Sequence, residues 1–402
     1  WSLSAVSAGQ AVITVTASKE GYPEASTTFT VTVTEPEPEP ENTIREKYNF
    51  NAGWIFSKGY GWDNAESNRD VKREVIVLPA DEKPYEEGYA PGSSWEPVSL
   101  PHTYNDVDTF DNFTETGMNG ERSVYSGTAW YKKTFTVPAA SEGKKIFLEF
   151  EAARQGVEVY LNGEKLEGKS ENGFIPFGYD LTEYIRFGQE NDITVMVDNS
   201  FPYYHIGGDG SKNELSWHDS HWHPNSGGLY RNAFLYVTDP LHVTLPLYSF
   251  LETQGTYVYT QNETAASAEV VMEAEIQNEY DAEKTFTYEA EIRDMDGRTV
   301  CTETSGALTL AAGEKKVYSL TGTLQNPKFW STEYPYLYEV VTTVLVDGEA
   351  VDSATTPLGV RIFRFTNDSG LFLNENYVKL KGWGPGQQHL LSGNYHMQYV
   401  GT

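Results

Sequence analysis

The sequence predicts an all-β chain, on three observations. Short segments of alternating apolar and polar residues recur between turn signals. Aromatic residues are abundant, with 27 Tyr, 19 Phe and 9 Trp, and flat rings pack well on pleated surfaces. Helical patterning is confined to one segment, "YDLTEYIRFG" (179–188). At 402 residues the chain is too long for one compact core and implies roughly two to four domains.

Residues 1–34 alternate cleanly, with Ala11 to Thr16 and Phe29 to Thr34 as two strands around a polar turn. So few strands rarely fold alone, so the segment is expected to be part of a small immunoglobulin-like sandwich. The acidic, Pro-rich linker 35–44 follows, opening "EPEPEPE". Proline at every second position removes ladder donors and favours polyproline II. At about 3.1 Å per residue the repeat spans roughly 20 Å as a semi-rigid spacer.

Residues 45–239 read as a block of short strands: "GTAWYKKTFTV", "KKIFLEF", "GVEVYLNGEKL", "NDITVMVDN" and "LYRNAFLYV". Asn162-Gly163 between alternating apolar residues marks a hairpin. The block is of jelly-roll or sandwich type. Residues 240–362 repeat the pattern in "AEVVMEAEIQN", "FTYEAEIRDMDG", "KKVYSLTGTL" and "LYEVVTTVLVDGEAV", with Asp347-Gly348 as a second hairpin marker. That length suits an immunoglobulin-like β-sandwich. In 363–402, "VKLKGWG" (378–384) reads as a strand running into a Gly-Trp-Gly turn.

Charge excludes several functions. Asp and Glu number 58 against 29 Lys and Arg, for a net charge of −29. Nucleic-acid binding needs a basic footprint, and no run of Lys or Arg exceeds two residues. An anionic membrane surface is excluded on the same ground, whereas a neutral ligand such as a sugar is indifferent to this field. The one cysteine, Cys301, permits neither an intrachain disulfide nor a Cys-based zinc site. No stretch approaches the roughly 18 apolar residues of a membrane helix. The chain opens on Trp1, so it is expected to be a processed or trimmed product.

Several stretches resemble glycoside hydrolase family 2, the β-galactosidase, β-glucuronidase and β-mannosidase group. They are "VSLPHTYND" (98–106), "GTAWYKKTF" (127–135), "VEVYLNGEKL" (157–166), "SGGLYRNAFLYV" (226–237), "NPKFWSTEYPYLYEVVT" (326–342) and "LGVRIFRFTNDSGLFLNENYVKLKG" (358–382). They come in the family's order. The resemblance implies a jelly-roll sugar-binding domain, an immunoglobulin-like domain and then a TIM barrel whose two catalytic Glu lie well inside it. "YVKLKG" resembles the lead-in to the first barrel strand, so residues 363–402 are expected to lead into a barrel absent from this chain. The galactosidase branch is the nearer resemblance.

The residues themselves leave the site open. Retaining hydrolysis needs two carboxylates about 5 Å apart, and none of the 58 acidic residues sits in a motif that marks it. No catalytic residue is assigned. "SWHDSHWHPNSGGLYRN" (216–232) is the densest polar cluster. It reads as a pocket rim, with indole covering a sugar face and imidazole bonding hydroxyls, as a structural loop, or as a metal site through His218, Asp219, His221 and His223. In related galactosidases the loop before this signature supplies an acidic residue to the active site. That register falls near Trp222, which leaves His221 or His223 to substitute.

"PHTYNDVD" (101–108) offers His102, Asn105, Asp106 and Asp108. It reads either as an Asx-type turn or, by resemblance, as a jelly-roll edge orienting a sugar hydroxyl at the barrel mouth. Asp198-Asn199 reads as a strand-end turn, Arg231 as a domain-bridging ion pair, and Trp330 as an anchor of the immunoglobulin-like domain. Near the end, Gly386 stands where the commoner family sequence has a substrate-contacting His, and Trp383 is a candidate to stack on sugar.

The expected function is the non-catalytic N-terminal region of a secreted family 2 enzyme of β-galactosidase type, acting on plant or algal oligosaccharides. Its location is expected to be extracytoplasmic: secreted, periplasmic or at a bacterial cell surface. Taken alone the chain is expected to be inactive. The rival expectation is a carbohydrate-binding or adhesion module without chemistry. The partner is carbohydrate in either case. No cofactor is called for, a structural cation stays open, and so does a homo-oligomer.

Overall fold

The computed structural model describes residues 9–17, 25–33, 44–64, 72–104, 125–154, 156–168, 173–199, 227–246 and 251–380. The chain divides into two compact units, Trp1–Thr43 and Ile44–Thr402. In the first, β1 (Gly9–Ala17) pairs antiparallel with β2 (Ala25–Val33), in register from Gly9↔Val33 to Ala17↔Ala25.

Among the described residues the second unit begins with a sandwich of eleven strands. Its strands are β3 (Glu46–Asn49), β4 (Trp54–Asn64), β5 (Lys72–Ile76), β6 (Glu96–Val98), β7 (Ser126–Thr136), β8 (Lys145–Phe150), β9 (Gly156–Leu161), β10 (Glu164–Lys165), β11 (Phe177–Asp180), β12 (Glu190–Asp198) and β13 (Ala233–Thr238). One sheet has the order β10-β9-β12-β7-β4-β5, with β6 also on β4, and the other runs β11-β8-β13-β3. All pairs are antiparallel. Alternation decides which residues face inward. Tyr131, Ile193, Val195, Val157 and Val159 of the larger sheet close on Ile146, Leu148, Phe177 and Leu235 of the smaller. Strand β9 is buried on both faces, because residues 77–95 cross the outside of its sheet and pack Leu78 with Trp130 and Tyr160.

A second sandwich follows, with its own core. Its strands are β14 (Leu241–Val243), β15 (Thr256–Gln261), β16 (Ser267–Asn278), β17 (Lys284–Arg293), β18 (Thr299–Thr304), β19 (Leu308–Leu310), β20 (Lys315–Gln325), β21 (Tyr338–Val346) and β22 (Glu349–Leu358). The sheets are β14-β16-β15 with β20 on β16, and β18-β17-β21-β22 with β19 on β17. Strand β17 shows the period of two that the sequence displays, burying Phe286, Tyr288, Ala290 and Ile292 while their neighbours stay partly exposed. The small sheet β23 (Phe363–Thr366), β24 (Gly370–Leu373) and β25 (Asn376–Val378) comes last.

Both hairpin markers form as expected. Asn162 and Gly163 have φ of 53° and 88°, and Asp347 and Gly348 have φ of 53° and 86°, the left-handed pairs that fit the strand twist. The segment 179–188 is half strand: β11 takes Tyr179 and Asp180, and one turn follows, closed by Ile185 N–H on Leu181 O at 3.1 Å. Among the described residues the regular helical structure is one short 3-10 turn, Ala139–Ser141. The expected strand at 378–381 also differs. The hairpin turns early, at Asn374 and Glu375 with φ of 49° and 63°, so pairing ends at Leu371↔Val378 and Leu380 is exposed outside any strand.

The two sandwiches are joined by buried charge. Arg45, one residue before β3, forks onto Asp352 of β22, with Nε to Oδ1 at 2.9 Å and Nη2 to Oδ2 at 2.5 Å. The same guanidinium donates to Val243 O, and Val243 N–H donates to Asp352 Oδ2 at 2.7 Å. The Asp352 side chain is fully buried. Burial pushes its pKa up, and the Arg45 charge opposes that rise. Beside it Lys145 of β8 bridges Asp180 at 2.6 Å and Glu279 at 3.0 Å.

Breaking a buried pair from one side leaves an uncompensated charge, which costs about 3–5 kcal/mol. Arg45→Met is therefore expected to lower the stability of the second unit by that amount in urea denaturation. Arg45→Met with Asp352→Leu is expected to recover most of the loss.

Candidate functional site

The structure brings together the roots of the two polar segments that the sequence singles out. His102 N–H donates to Leu229 O at 2.8 Å, and Tyr104 N–H to Gly227 O at 3.2 Å. On the other side Gly228 exchanges both backbone bonds with Arg154 at 2.9 Å. The chain at 227–229 is thus held between 102–104 and Arg154. This approach needs glycine. A Cβ on Gly227 would collide with the Tyr104 hydroxyl, and one on Gly228, at φ 140°, would strike the backbone of His102 and Thr103.

The side chains here form an aromatic nest. Tyr104 stacks on Phe56 with centroids 5.8 Å apart and meets Tyr125 edge-on at 5.8 Å. His102 lies against Phe56 at 4.9 Å, and its Nδ1 shares a hydrogen bond with Tyr131 Oη at 2.8 Å. Burial lowers the imidazole pKa to about 4, so the ring is neutral at pH 7. Packing and the Tyr131 bond hold His102 in the scaffold at the foot of the loop. Asn199 acts as a clamp at the end of β12: its Oδ1 accepts from Gly127 N–H at 2.9 Å and its Nδ2 donates to Tyr125 O at 3.1 Å.

Asn105, Asp106, Asp108, His218, Asp219, His221, Trp222, His223 and Trp383 lie outside the described residues. Among the described residues no group of three or more His, Cys, Asp or Glu is placed to hold a metal ion, and no helix is long and apolar enough to cross a membrane. Arg231 has its Nε buried without a hydrogen-bond partner, and the expected ion pair is not found among the described residues. Trp330 is tied by its backbone, its N–H to Val360 O at 2.8 Å and its O from Asn374 Nδ2 at 2.9 Å, with Arg361 over its ring.

One pair of acids that the sequence did not mark is Asp180 and Glu279, bridged by Lys145 at the joint of the sandwiches. Burial raises the Glu279 pKa, the direction that suits a general acid. Size decides against that use. The adjoining cavity holds about 80 Å³, whereas ligand pockets run from about 300 Å³ upward. His242, lining the same cavity, has its pKa lowered to about 3 by burial and by the Arg45 charge. Its 3.7 Å approach to Glu279 is then a polar contact between a neutral ring and a carboxyl group.

The family model "Glycosyl hydrolases family 2, sugar binding domain" matches residues 95–239, and "Glycosyl hydrolases family 2" matches 252–361. A beta-glucuronidase of Formosa agariphila is 42% identical over 342 residues, covering 85% of this chain and 32% of that protein. The beta-galactosidase BoGH2A of Bacteroides ovatus is 30% identical over 338 residues, covering 84% and 34%. The solved structure of a beta-glucuronidase from glycoside hydrolase family 2 superposes with a TM-score of 0.72 at 40% identity, over 86% of this chain and 34% of that one. The chain thus spans about a third of the length of these relatives.

The site geometry makes two predictions. Gly227→Ala is expected to destabilise the second unit by about 1–3 kcal/mol, an overpacking penalty, read from the urea midpoint. Two histidines, His242 buried and His102 partly buried, set a pH dependence. Unfolded imidazole titrates near 6.5, against about 4 for His102 and about 3 for His242 in the fold. Between these values the unfolded chain binds more protons, so the stabilisation is complete above about pH 6.5 and is lost as pH falls through the window. Within it each histidine contributes up to about 1.4 kcal/mol per pH unit. Urea midpoints at pH 7 and pH 5 should differ less in His242→Gln than in the parent chain.

Proposed function

Because the chain belongs to glycosyl hydrolases family 2, we propose that it is the non-catalytic N-terminal region of a retaining exo-β-glycosidase. Its jelly-roll and immunoglobulin-like sandwiches position loops around a barrel mouth. The observation that supports this most directly is the convergence at 102–104 and 227–229, which joins the described ends of the two polar segments. The described carboxylate pair at the sandwich joint abuts a cavity too small for a sugar, which fits hydrolysis by residues of another domain. Two carboxylates about 5 Å apart, one nucleophile and one acid/base, would supply double displacement there.

We favour a β-glucuronide substrate over the β-galactoside expected from the motifs. Both the relative at 42% identity and the solved structure at 40% carry the name beta-glucuronidase. The β-galactoside reading keeps support from the 30% match to BoGH2A.

The test is to express the reading frame that encodes this sequence alongside the 402-residue chain, and to assay both with 4-nitrophenyl β-D-glucuronide and β-D-galactoside. Turnover of the glucuronide by the longer product, with none by the chain, is expected. Genuine turnover by the chain itself, or a reading frame encoding no barrel, would remove the proposal. Preference for the galactoside would restore the second reading.

A further inference from the structure

The outer face of the larger jelly-roll sheet carries a crevice that the reading above leaves unused. Residues 77–95 form a strap across that face between β5 and β6. It is fixed at three points. Tyr85 stacks on Tyr160 of β9 with centroids 4.1 Å apart and planes 7° off parallel. Lys132 of β7 donates to Pro84 O at 3.1 Å, to Thr194 Oγ1 at 3.1 Å and to Asp192. Glu87 pairs with Arg186 at 2.9 Å. Within the strap Tyr89 O–H donates to Glu82 at 2.6 Å and accepts from Trp95 Nε1 at 3.2 Å.

Between the strap, β7, β12 and the Asn162-Gly163 turn lies a solvent-open crevice of about 450 Å³. Its volume is within the usual range for small-molecule sites, roughly 300–1,000 Å³. Its chemistry is specific. In the lining Lys132 pairs with Asp192 and Arg186 with Glu87, while the Lys133 ammonium donates to Phe50 O and Ala52 O; with Glu190 the lining carries three charges of each sign. Asp192 keeps 34% of its side chain exposed while Lys132 orients it, and Arg186 keeps 43%. Tyr85 and Tyr89 add ring surface.

We propose that this crevice is a binding site for a neutral oligosaccharide of about disaccharide size, on the jelly-roll flank. Each sugar hydroxyl both donates and accepts, which matches the lining carboxylates beside the partly exposed Arg186 guanidinium. Ring carbons of a pyranose match the tyrosine surface. An anionic ligand fits less well, since Lys132 and Arg186 are already paired with carboxylates, Lys133 is bonded to backbone carbonyls and the chain carries a net charge of −29. The site rests on the carbohydrate-directed part of the function proposed above and is independent of hydrolysis. It would hold a glycan on a face set by the strap, whichever bond another domain cleaves.

The test titrates the 402-residue chain with lactose, cellobiose and xylobiose, and with glucuronic acid as the anionic arm, by calorimetry and by tryptophan fluorescence, for which Trp95 is the local reporter. Saturable binding of at least one disaccharide is expected, with glucuronic acid weaker. Tyr89→Ala should weaken it by about tenfold, near 1.4 kcal/mol. Thr134→Trp, at an exposed lining position of β7, should abolish it with an unchanged thermal melt. Absence of saturable binding to all three disaccharides overturns the proposal, as does binding that survives Thr134→Trp or favours glucuronic acid. None of these failures touches the glycosidase reading, which the reading-frame assay decides separately.

Discussion

The buried fork of Arg45 on Asp352 is the interaction on which the second unit's organisation turns. It reaches from the residue just before the first jelly-roll strand to the last strand of the second sandwich, and it also engages both backbone groups of Val243. Desolvating two charges is expensive, and geometry must compensate for it. Here the carboxylate accepts from two guanidinium nitrogens and a backbone N–H, so its acceptor sites are well used. Such an arrangement stabilises one relative placement of the sandwiches and penalises others. Lys145, shared between Asp180 and Glu279, repeats the device a short distance away.

Fixed sandwiches let segments from distant parts of the chain meet in one place. The jelly roll brings residues more than a hundred positions apart into one ladder-like contact at 102–104 and 227–229, and two glycines make the approach sterically allowed. The aromatic nest beneath, with a neutral His102 wedged between Phe56 and Tyr131, gives that contact a rigid floor. The outer flank uses another solution, a strap held by one ring stack and two charged anchors, and it leaves a crevice where the cover is incomplete.

Much of this was legible in the sequence, and the reasons are local. Alternation along 286–292 identified a buried strand face because strand side chains repeat every two residues. Asn162-Gly163 and Asp347-Gly348 identified their turns because few residue pairs accept two positive φ angles. Other features gave no local signal. Lys132 looks like any charged residue on a strand, yet its ammonium is buried under Pro84. Arg45 and Asp352 lie more than 300 positions apart in sequence. His102 was read among polar turn residues, and nothing local in the sequence showed that its ring packs on Phe56 and bonds Tyr131.

The sequence by itself therefore determined the all-β class, its two long sandwiches and the family, since these follow from short-range periodicity, turn chemistry and motifs in series. Tertiary structure alone decided which charges are buried, which polar segments meet, and where a crevice remains. Those outcomes depend on desolvation and close packing between residues distant in the chain, and neither quantity exists until the sheets have closed on each other.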